Sequence, residues 1–290
     1  MSVIADAKAG LHSIKTDPSK EDVLEKLAQA GYLTKGALYI VIGFLTVRAA
    51  IGFGGEIAGS KDAIKFIAGQ PMGRILLILM AFGLFSYGAW RYAKAYLARV
   101  KNKSSKDKVK SVMKKVGFAI SATSYTSLGV FVVLLLSGSS SGGSGGGSSV
   151  TGFLNDAMST AWGPILMGLI GFGVLIAALM QFKHAFKPEL KEQIDTTELD
   201  AKTQRVVTYF YQAGSLARGV IFGLISYYLM HSAYQATGTS VDSSKDALRQ
   251  IFSMSYGSTL LAIVASGLFV YGVACMVKGR YRSVSALDLR

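Results

Sequence analysis

The sequence has 290 residues, of which 51% are hydrophobic and 17% charged, and its formal net charge is +14. This composition excludes an ordinary soluble domain, in which charged residues are more frequent and more evenly spread. The single cysteine, Cys275, excludes an intramolecular disulfide framework and a cysteine-based zinc or iron–sulfur site within one chain.

Six apolar stretches are long enough to cross a membrane, because a hydrocarbon core about 30 Å thick needs roughly 20 residues of helix. In chain order they are 32–52, 72–96, 114–137, 161–182, 212–235 and 256–277. We therefore predict an all-α fold, a polytopic membrane helical bundle of six transmembrane helices.

Lysine and arginine are concentrated on one side of these spans. The N-terminal tail, the segments 91–115 and 183–205, and the C-terminal tail hold 23 of them, whereas the alternate loops hold five. By the positive-inside rule, both termini are predicted to be cytoplasmic. The basic segment 91–115 predicts contact with anionic headgroups of membrane lipids, and no nucleic-acid partner is expected.

Three segments of the chain repeat one another. The octapeptide QAGYLTKG at 29–36 recurs as QAGSLARG at 212–219, with five of eight residues identical. Two further elements recur at nearly the same offset, 60–65 at 244–249 and 83–88 at 267–272. A more divergent middle copy is also present, in which Gly117, Asp156 and Gly163 align with Gly31, Asp62 and Gly73. In this copy Ser121 replaces the basic residue. Each repeat holds two spans, so the three are parallel and predict a pseudo-threefold bundle.

The predicted organisation follows from these repeats. It comprises an N-terminal tail with a short helix (1–28), repeat 1 (29–98), a basic linker (99–113), repeat 2 with a Gly/Ser-rich outer loop (114–187), a second linker (188–206), repeat 3 (207–282) and a C-terminal tail (283–290).

Several segments of the chain resemble a known group. They are Gly31-Tyr32 with Lys35-Gly36, the elements 62–64 and 70–74, and the stretch 83–91. Residues 26–282 resemble the bacterial integral membrane family of domain of unknown function 1206, whose members contain this two-helix unit in three tandem copies. The resemblance implies a multi-pass protein of the bacterial cytoplasmic (inner) membrane. It implies no chemistry, because the activity of the family is unassigned.

Small residues at helical spacing predict close helix packing. The predicted packing positions are Gly36, Gly43, Gly168, Gly171, Gly219 and Gly223. An oligomer interface is the alternative interpretation for this kind of motif.

Two groups of charged residues are candidate functional positions. Lys35 and Arg218 lie inside predicted spans, where a basic side chain either snorkels to the headgroups or faces an inward site. Asp62, Asp156 and Asp246 recur in the outer loops. They are interpreted as first-turn residues of short helices capped by Ser60 and Ser244, or as an acidic ring that attracts cations.

The sequence contains no recognisable catalytic, cofactor-binding or metal-binding motif, so an enzyme is not expected. We expect a non-enzymatic structural, assembly or accessory component of the membrane, with possible protein partners or a homo-oligomer. The alternative is a channel or a transporter of small solutes or ions with a site on the pseudo-threefold axis. Convergence of Thr34, Ser121, Ser124 and Ser226 on that axis would favour this alternative.

Overall fold

The computed structural model describes residues 18–97, 105–138, 162–186, 201–235 and 244–281. These residues form eight helices and no strand. The helices are α1 (Pro18–Ala50), α2 (Ser60–Ala68), α3 (Gly73–Leu97), α4 (Ser105–Leu136), α5 (Gly163–Phe186), α6 (Ala201–Gln235), α7 (Ser244–Phe252) and α8 (Gly257–Arg280). The all-α prediction is confirmed.

Six of the helices, α1, α3, α4, α5, α6 and α8, are long and apolar enough to cross a membrane. The helices extend beyond the predicted spans on the side where α1 begins and α8 ends, which we call the terminal side. The short helix predicted in the N-terminal tail is wrong as a separate element, because α1 runs unbroken from Pro18 through the first span. Pro18 suits this start, since the first helical position needs no backbone N–H.

The six long helices form a ring in chain order. The second long helix of each repeat packs most extensively on the first helix of the next repeat, so α3 contacts α4, α5 contacts α6, and α8 closes the ring on α1. This cyclic pattern is the predicted pseudo-threefold arrangement of three parallel hairpins. The ring is incomplete at one place, because α4 and α5 share no extensive interface within the described residues.

Repeats 1 and 3 have the same loop structure on the side opposite the terminal side. A short amphipathic helix, α2 or α7, inserts its apolar face into the bundle, with Ile64 and Leu248 fully buried. Each is followed by a turn with a left-handed residue, Met72 (φ 63°) or Tyr256 (φ 60°), directly before the glycine that begins the next helix. A side chain at that glycine would collide with the last carbonyl groups of the short helix, so only glycine fits.

One apolar cluster fills the part of the ring that faces α2 and α7. It joins Leu38 and Ile42 of α1 to Val132 of α4, Ile221 of α6 and Leu268 of α8. The predicted hydroxyl groups do not converge there: Thr34 faces α3, Ser226 donates to the Gly171 carbonyl of α5, and Ser124 is exposed. This part of the axis is therefore filled by apolar side chains.

The structure places four of the predicted packing glycines, Gly36, Gly43, Gly171 and Gly219, at close helix contacts. A Cβ atom at Gly36 or Gly43 would lie 2.6–2.8 Å from atoms of α8, and one at Gly171 would lie 2.8 Å from the Met230 side chain. At Gly219 the nearest atoms belong to the Phe182 ring, at 3.1 Å.

Two of the predicted packing glycines are not at tight helix contacts among the described residues. A Cβ at Gly168 would meet Ala233 only at an ordinary 3.8 Å, and a Cβ at Gly223 would meet no described atom within 4 Å. Gly223 makes no close helix contact among the described residues, because the GxxxG spacing places two glycines on one face without specifying whether a neighbouring helix covers both.

Candidate functional site

Lys35 is buried in the bundle, with 4% of its surface exposed. Its Nζ donates a hydrogen bond to the Tyr271 hydroxyl of α8 at 3.2 Å. The same nitrogen lies 5.3–6.0 Å from the centres of five tyrosine rings, those of Tyr32, Tyr39, Tyr87, Tyr125 and Tyr271. The ammonium group therefore faces inward, and the snorkelling interpretation is wrong for Lys35.

Arg218 of α6 reaches the same tyrosine from the other side. Its Nη1 donates to the Tyr271 hydroxyl at 2.6 Å, and its guanidinium lies 4.9 Å from the Tyr271 ring centre. With its amide oxygen turned toward Arg218, Gln181 of α5 accepts from both terminal nitrogens at 3.0 and 3.1 Å. The two cations predicted from the sequence thus meet at one hydroxyl group, which accepts from both.

A third cation, Arg91 of α3, completes the group. Its guanidinium lies between the rings of Tyr87, at 5.3 Å, and Phe118, at 5.2 Å. Arg91 and Lys35 share the Tyr87 ring, whose centre lies 5.5 Å from Lys35 Nζ, and Arg218 and Lys35 share the Tyr271 hydroxyl. We call Lys35, Arg91 and Arg218, with the tyrosines around them, the cation–tyrosine cluster.

The sequence predicts that the basic segment 91–115 contacts lipid headgroups, but its first residue, Arg91, packs its guanidinium on the rings of Tyr87 and Phe118. Tyr87 and Trp90 are each 1% exposed and belong to the core, because this face of α3 turns toward α1 and α4. The part of the basic segment at 98–104 lies outside the described residues, so its contact with lipid stays a prediction.

The three cations occupy related places in the three repeats. The repeat offsets align Lys35 with Ser121 and Arg218 on the first helices, and Arg91 with Gln181 and Cys275 on the second helices. At these aligned positions, each interface between repeats therefore holds one basic residue: Lys35 on α1 next to α8, Arg91 on α3 next to α4, and Arg218 on α6 next to α5. Repeat 2 lost the basic residue at Ser121, and the facing helix supplies it.

Carboxylates are nearly absent from the spans that surround this cluster. The six candidate spans contain a single acidic residue, Glu25, at the first position of the first span. The Nε groups of Arg91 and Arg218 and the hydroxyl of Ser215 are buried and have no hydrogen-bond partner among the described residues. Buried cations and unpartnered donors are costly, and an anion of opposite charge would compensate both.

Lys278 adds a further basic group next to the cluster. It is 4% exposed, and its Nζ lies 5.1 Å from the Tyr32 ring centre and 5.6 Å from that of Tyr211. Cation–π contacts of this kind lower the cost of burying a cation. The site can therefore supply positive charge and hydroxyl donors to an anionic ligand, within a region of low dielectric.

The recurring aspartates lie elsewhere, on the side of α2 and α7. Asp62 occupies the first turn of α2, and its Oδ2 accepts a hydrogen bond from the Gly59 backbone N–H at 2.9 Å. The N-cap position is Gly59, so the prediction that Ser60 caps this helix is wrong. Asp156 lies outside the described residues, and for Asp246 the structure describes only the backbone, in the first turn of α7. The acidic ring stays a prediction.

Two substitutions separate the capping role of Asp62 from its charge. Asp62→Ala removes the acceptor for the Gly59 N–H and is expected to lower the free energy of unfolding by about 1 kcal/mol. Asp62→Asn keeps an acceptor oxygen and is expected to lower the free energy of unfolding by less. Chemical unfolding of the purified protein measures both, and equal losses in the two variants would show that the charge, rather than the hydrogen bond, stabilises α2.

The fold and the cluster define a class of protein, a multi-pass helical membrane protein built from three tandem two-helix repeats. The family profile described as Domain of Unknown Function (DUF1206) matches residues 30–98, 116–187 and 213–282. The chain belongs to this family, which confirms the resemblance found in its repeats.

A curated relative comes from Bacillus subtilis (strain 168), where it is described as the uncharacterized protein YxxB. It is 26% identical to this chain over 262 residues, which cover 90% of this chain and 92% of the relative. No solved structure matches the chain significantly.

Proposed function

We propose that this protein is a non-enzymatic anion-binding component of the bacterial cytoplasmic membrane, with its site at the cation–tyrosine cluster. The observation that carries the proposal is the meeting of Lys35 and Arg218 at one buried hydroxyl, near Arg91, in spans that contain almost no carboxylate. Charges that serve only to join helices are ordinarily paired with an opposite charge. A bound anion would fill that role here.

The proposal favours a binding or accessory role over a channel. The apolar cluster around Leu38, Ile42 and Leu268 continues the axis from the cation–tyrosine cluster toward α2 and α7. A filled axis offers no continuous polar path in this state. The ligand would therefore bind from the terminal side or from between the helices.

The test is stabilisation of the protein by inorganic phosphate. A ligand that binds only the folded state raises its stability by RT ln(1 + [L]/Kd). In phosphatidylcholine nanodiscs, phosphate is expected to raise the unfolding temperature more than chloride does at the same ionic strength. Arg218→Met is expected to abolish this difference, because it removes the guanidinium that donates to Tyr271.

Arg48→Met is the matched control for this experiment. Arg48 is also an arginine of a membrane-spanning helix, but it is exposed, and its Nη2 donates to the Phe53 carbonyl near the end of α1. This variant is expected to keep the full phosphate response. Equal responses in the wild type and Arg218→Met would mean that phosphate binds elsewhere, and the proposal would then be wrong.

We further propose that both termini are cytoplasmic, on the basis of the lysine and arginine distribution. Single-cysteine labelling of intact cells with a membrane-impermeant maleimide checks this orientation. Gly142→Cys in the Gly/Ser-rich loop is expected to react, whereas Gly10→Cys is expected to react only after the cells are lysed. The native Cys275 is buried and is expected not to react with the maleimide. The reverse labelling pattern would contradict the orientation.

A further inference from the structure

Repeat 2 lacks an aromatic contact that the other two repeats share. In repeat 1 the side chain of Tyr87 lies directly on Gly31, and in repeat 3 Tyr271 lies directly on Gly214. The aligned positions of repeat 2 are Ala177 on α5 and Gly117 on α4. A Cβ atom at Gly117 would meet no described atom within 4 Å, so this glycine faces open space.

A second contact is missing in the same way. Gly83 and Gly267 each receive a side chain from the first helix of their own repeat, Thr34 and Ala217 respectively. The aligned Gly173 of α5 faces no described atom within 4 Å. Both helices of the α4–α5 hairpin thus keep small residues where repeats 1 and 3 have tight contacts, and among the described residues the two helices share no extensive interface. We call the gap between α4 and α5 at the level of Gly117 and Ala177 the α4–α5 slot.

The slot lies at the depth of the cation–tyrosine cluster. Gly117 and Ala177 occupy the places of Gly31 and Tyr87, and the Tyr87 ring centre is 5.5 Å from Lys35 Nζ. A cation is associated with each wall. Arg91 lies over Phe118, the neighbour of Gly117 on α4, and Arg218 interacts with Gln181, one turn beyond Ala177 on α5.

The surroundings of the slot indicate the chemistry of its occupant. The helices α4 and α5 are the least buried of the six candidate spans, and α5 presents large apolar side chains such as Leu169, Phe172 and Leu179 at its exposed surface. In a bilayer, the molecule next to such a surface is a lipid. An opening that is apolar along its length and cationic at one level matches an acyl chain below a phosphate group.

We propose that an anionic phospholipid enters sideways between α4 and α5. Its phosphate would lie against Arg91, Arg218 and Lys35, and an acyl chain would occupy the slot. This inference rests on the proposed anion site and identifies the ligand class as a glycerophospholipid with a net negative charge. This proposal gives a functional reason why repeat 2 is the one repeat without the tyrosine. A tyrosine at position 177 would occupy the space of the lipid's acyl chain.

The test restores the missing tyrosine. Ala177→Tyr places in repeat 2 the residue that repeats 1 and 3 carry at the aligned positions, Tyr87 and Tyr271. The purified full-length protein is titrated in dodecyl maltoside with phosphatidylglycerol, with phosphatidylcholine as the uncharged reference, and its unfolding temperature is recorded. We expect the variant to need at least about tenfold more phosphatidylglycerol than the wild type for the same increase in unfolding temperature. Its response to inorganic phosphate is expected to be unchanged.

Leu179→Tyr provides the control, because it places the same ring on the exposed face of α5, where Leu179 is 59% exposed. This variant is expected to bind phosphatidylglycerol like the wild type. If Ala177→Tyr does not yield folded protein, Gly173→Leu fills the slot from a position that faces open space and replaces it in the experiment.

The outcomes separate this inference from the proposed function. A folded slot variant that keeps the full response to both phosphatidylglycerol and phosphate would overturn the lateral lipid site and leave the anion site standing. Loss of the phosphatidylglycerol response in the slot variant, with the phosphate response retained, would support the lipid. A phosphatidylglycerol response that is insensitive to Arg218→Met, together with no phosphate response in the wild type, would overturn both proposals.

Discussion

Replacing Lys35 by methionine is expected to stabilise the unliganded protein by about 1–4 kcal/mol and to abolish its response to phosphate. A buried ammonium group loses several kcal/mol of hydration, and well-packed apolar residues of similar volume are often equal to or better than buried charges for stability. Lys35 is 4% exposed, it shares the Tyr271 hydroxyl with the Arg218 cation, and its contacts are to tyrosines rather than carboxylates. A stability gain coupled to a loss of binding is characteristic of a functional site.

Tyr271→Phe is the matched variant for Lys35→Met, with the opposite expected sign. It keeps the ring but removes the oxygen that accepts from Lys35 and Arg218. Leaving two buried cations without this acceptor is expected to cost about 1–3 kcal/mol. Chemical unfolding in detergent, with phosphate-free buffer, measures both variants. A loss of stability in Lys35→Met would mean that Lys35 stabilises the contact between α1 and α8 rather than a ligand.

The second large effect is expected at Gly43. A Cβ atom at this position would lie 2.6 Å from the Phe269 backbone nitrogen and 2.8 Å from the Ala265 carbonyl oxygen. Backbone atoms cannot move aside as a flexible side chain can, so Gly43→Val must push α8 away from α1 along the most extensive helix interface of the bundle. We expect a loss of about 3 kcal/mol or more, at the upper end of typical overpacking costs.

Gly223→Val is the control for Gly43→Val. Both positions are glycines within membrane-spanning helices, and both are changed to the same β-branched residue, but a Cβ at Gly223 meets no described atom within 4 Å. The free energy of unfolding of this variant is expected to lie within about 0.5 kcal/mol of the wild-type value, as it does for most substitutions away from packed features. Unfolding by titrated dodecyl sulfate in dodecyl maltoside compares the two, and equal losses would contradict the predicted packing of α1 on α8.

The cluster also explains why the three repeats differ. Repeat 2 carries Ser121 where repeats 1 and 3 carry a basic residue, which by sequence suggests that its equivalence to the others has been lost. The structure places the cation of that interface on the facing helix, as Arg91, over the Phe118 ring. At these aligned positions, two interfaces thus hold their cation on the first helix and one holds it on the second.

Part of this arrangement was within reach of the sequence. The same repeat offsets that align Lys35 with Ser121 and Arg218 also align Arg91 with Gln181 and Cys275. Comparing those two sets would have suggested Arg91 as the missing cation. Its position beside a long basic segment favoured the headgroup interpretation instead, because a run of lysines near the end of a span is typical of a lipid-facing loop.

The tyrosines could not be assigned in the same way. Tyr87 and Trp90 lie near the end of a span, where exposed aromatic residues are common, and only the rotation of α3 places them inside the bundle with 1% of their surface exposed. Likewise, Gly36 and Gly223 both occur in small-residue patterns, but α8 covers the first and no described atom covers the second. The local sequence shows which face of a helix carries small residues. Whether another helix packs closely on that face depends on the tertiary structure.

By itself, the sequence determined the membrane class, the six spans, the three parallel repeats and the family, because hydropathy and repeat spacing are local and periodic properties of the chain. The tertiary structure decided which charges lie together, that Lys35 and Arg218 share Tyr271, and that the described residues of α4 and α5 share no extensive interface. These features depend on the rotation and packing of helices that are distant in sequence. A pattern along one helix carries no information about which atoms of another helix it will meet.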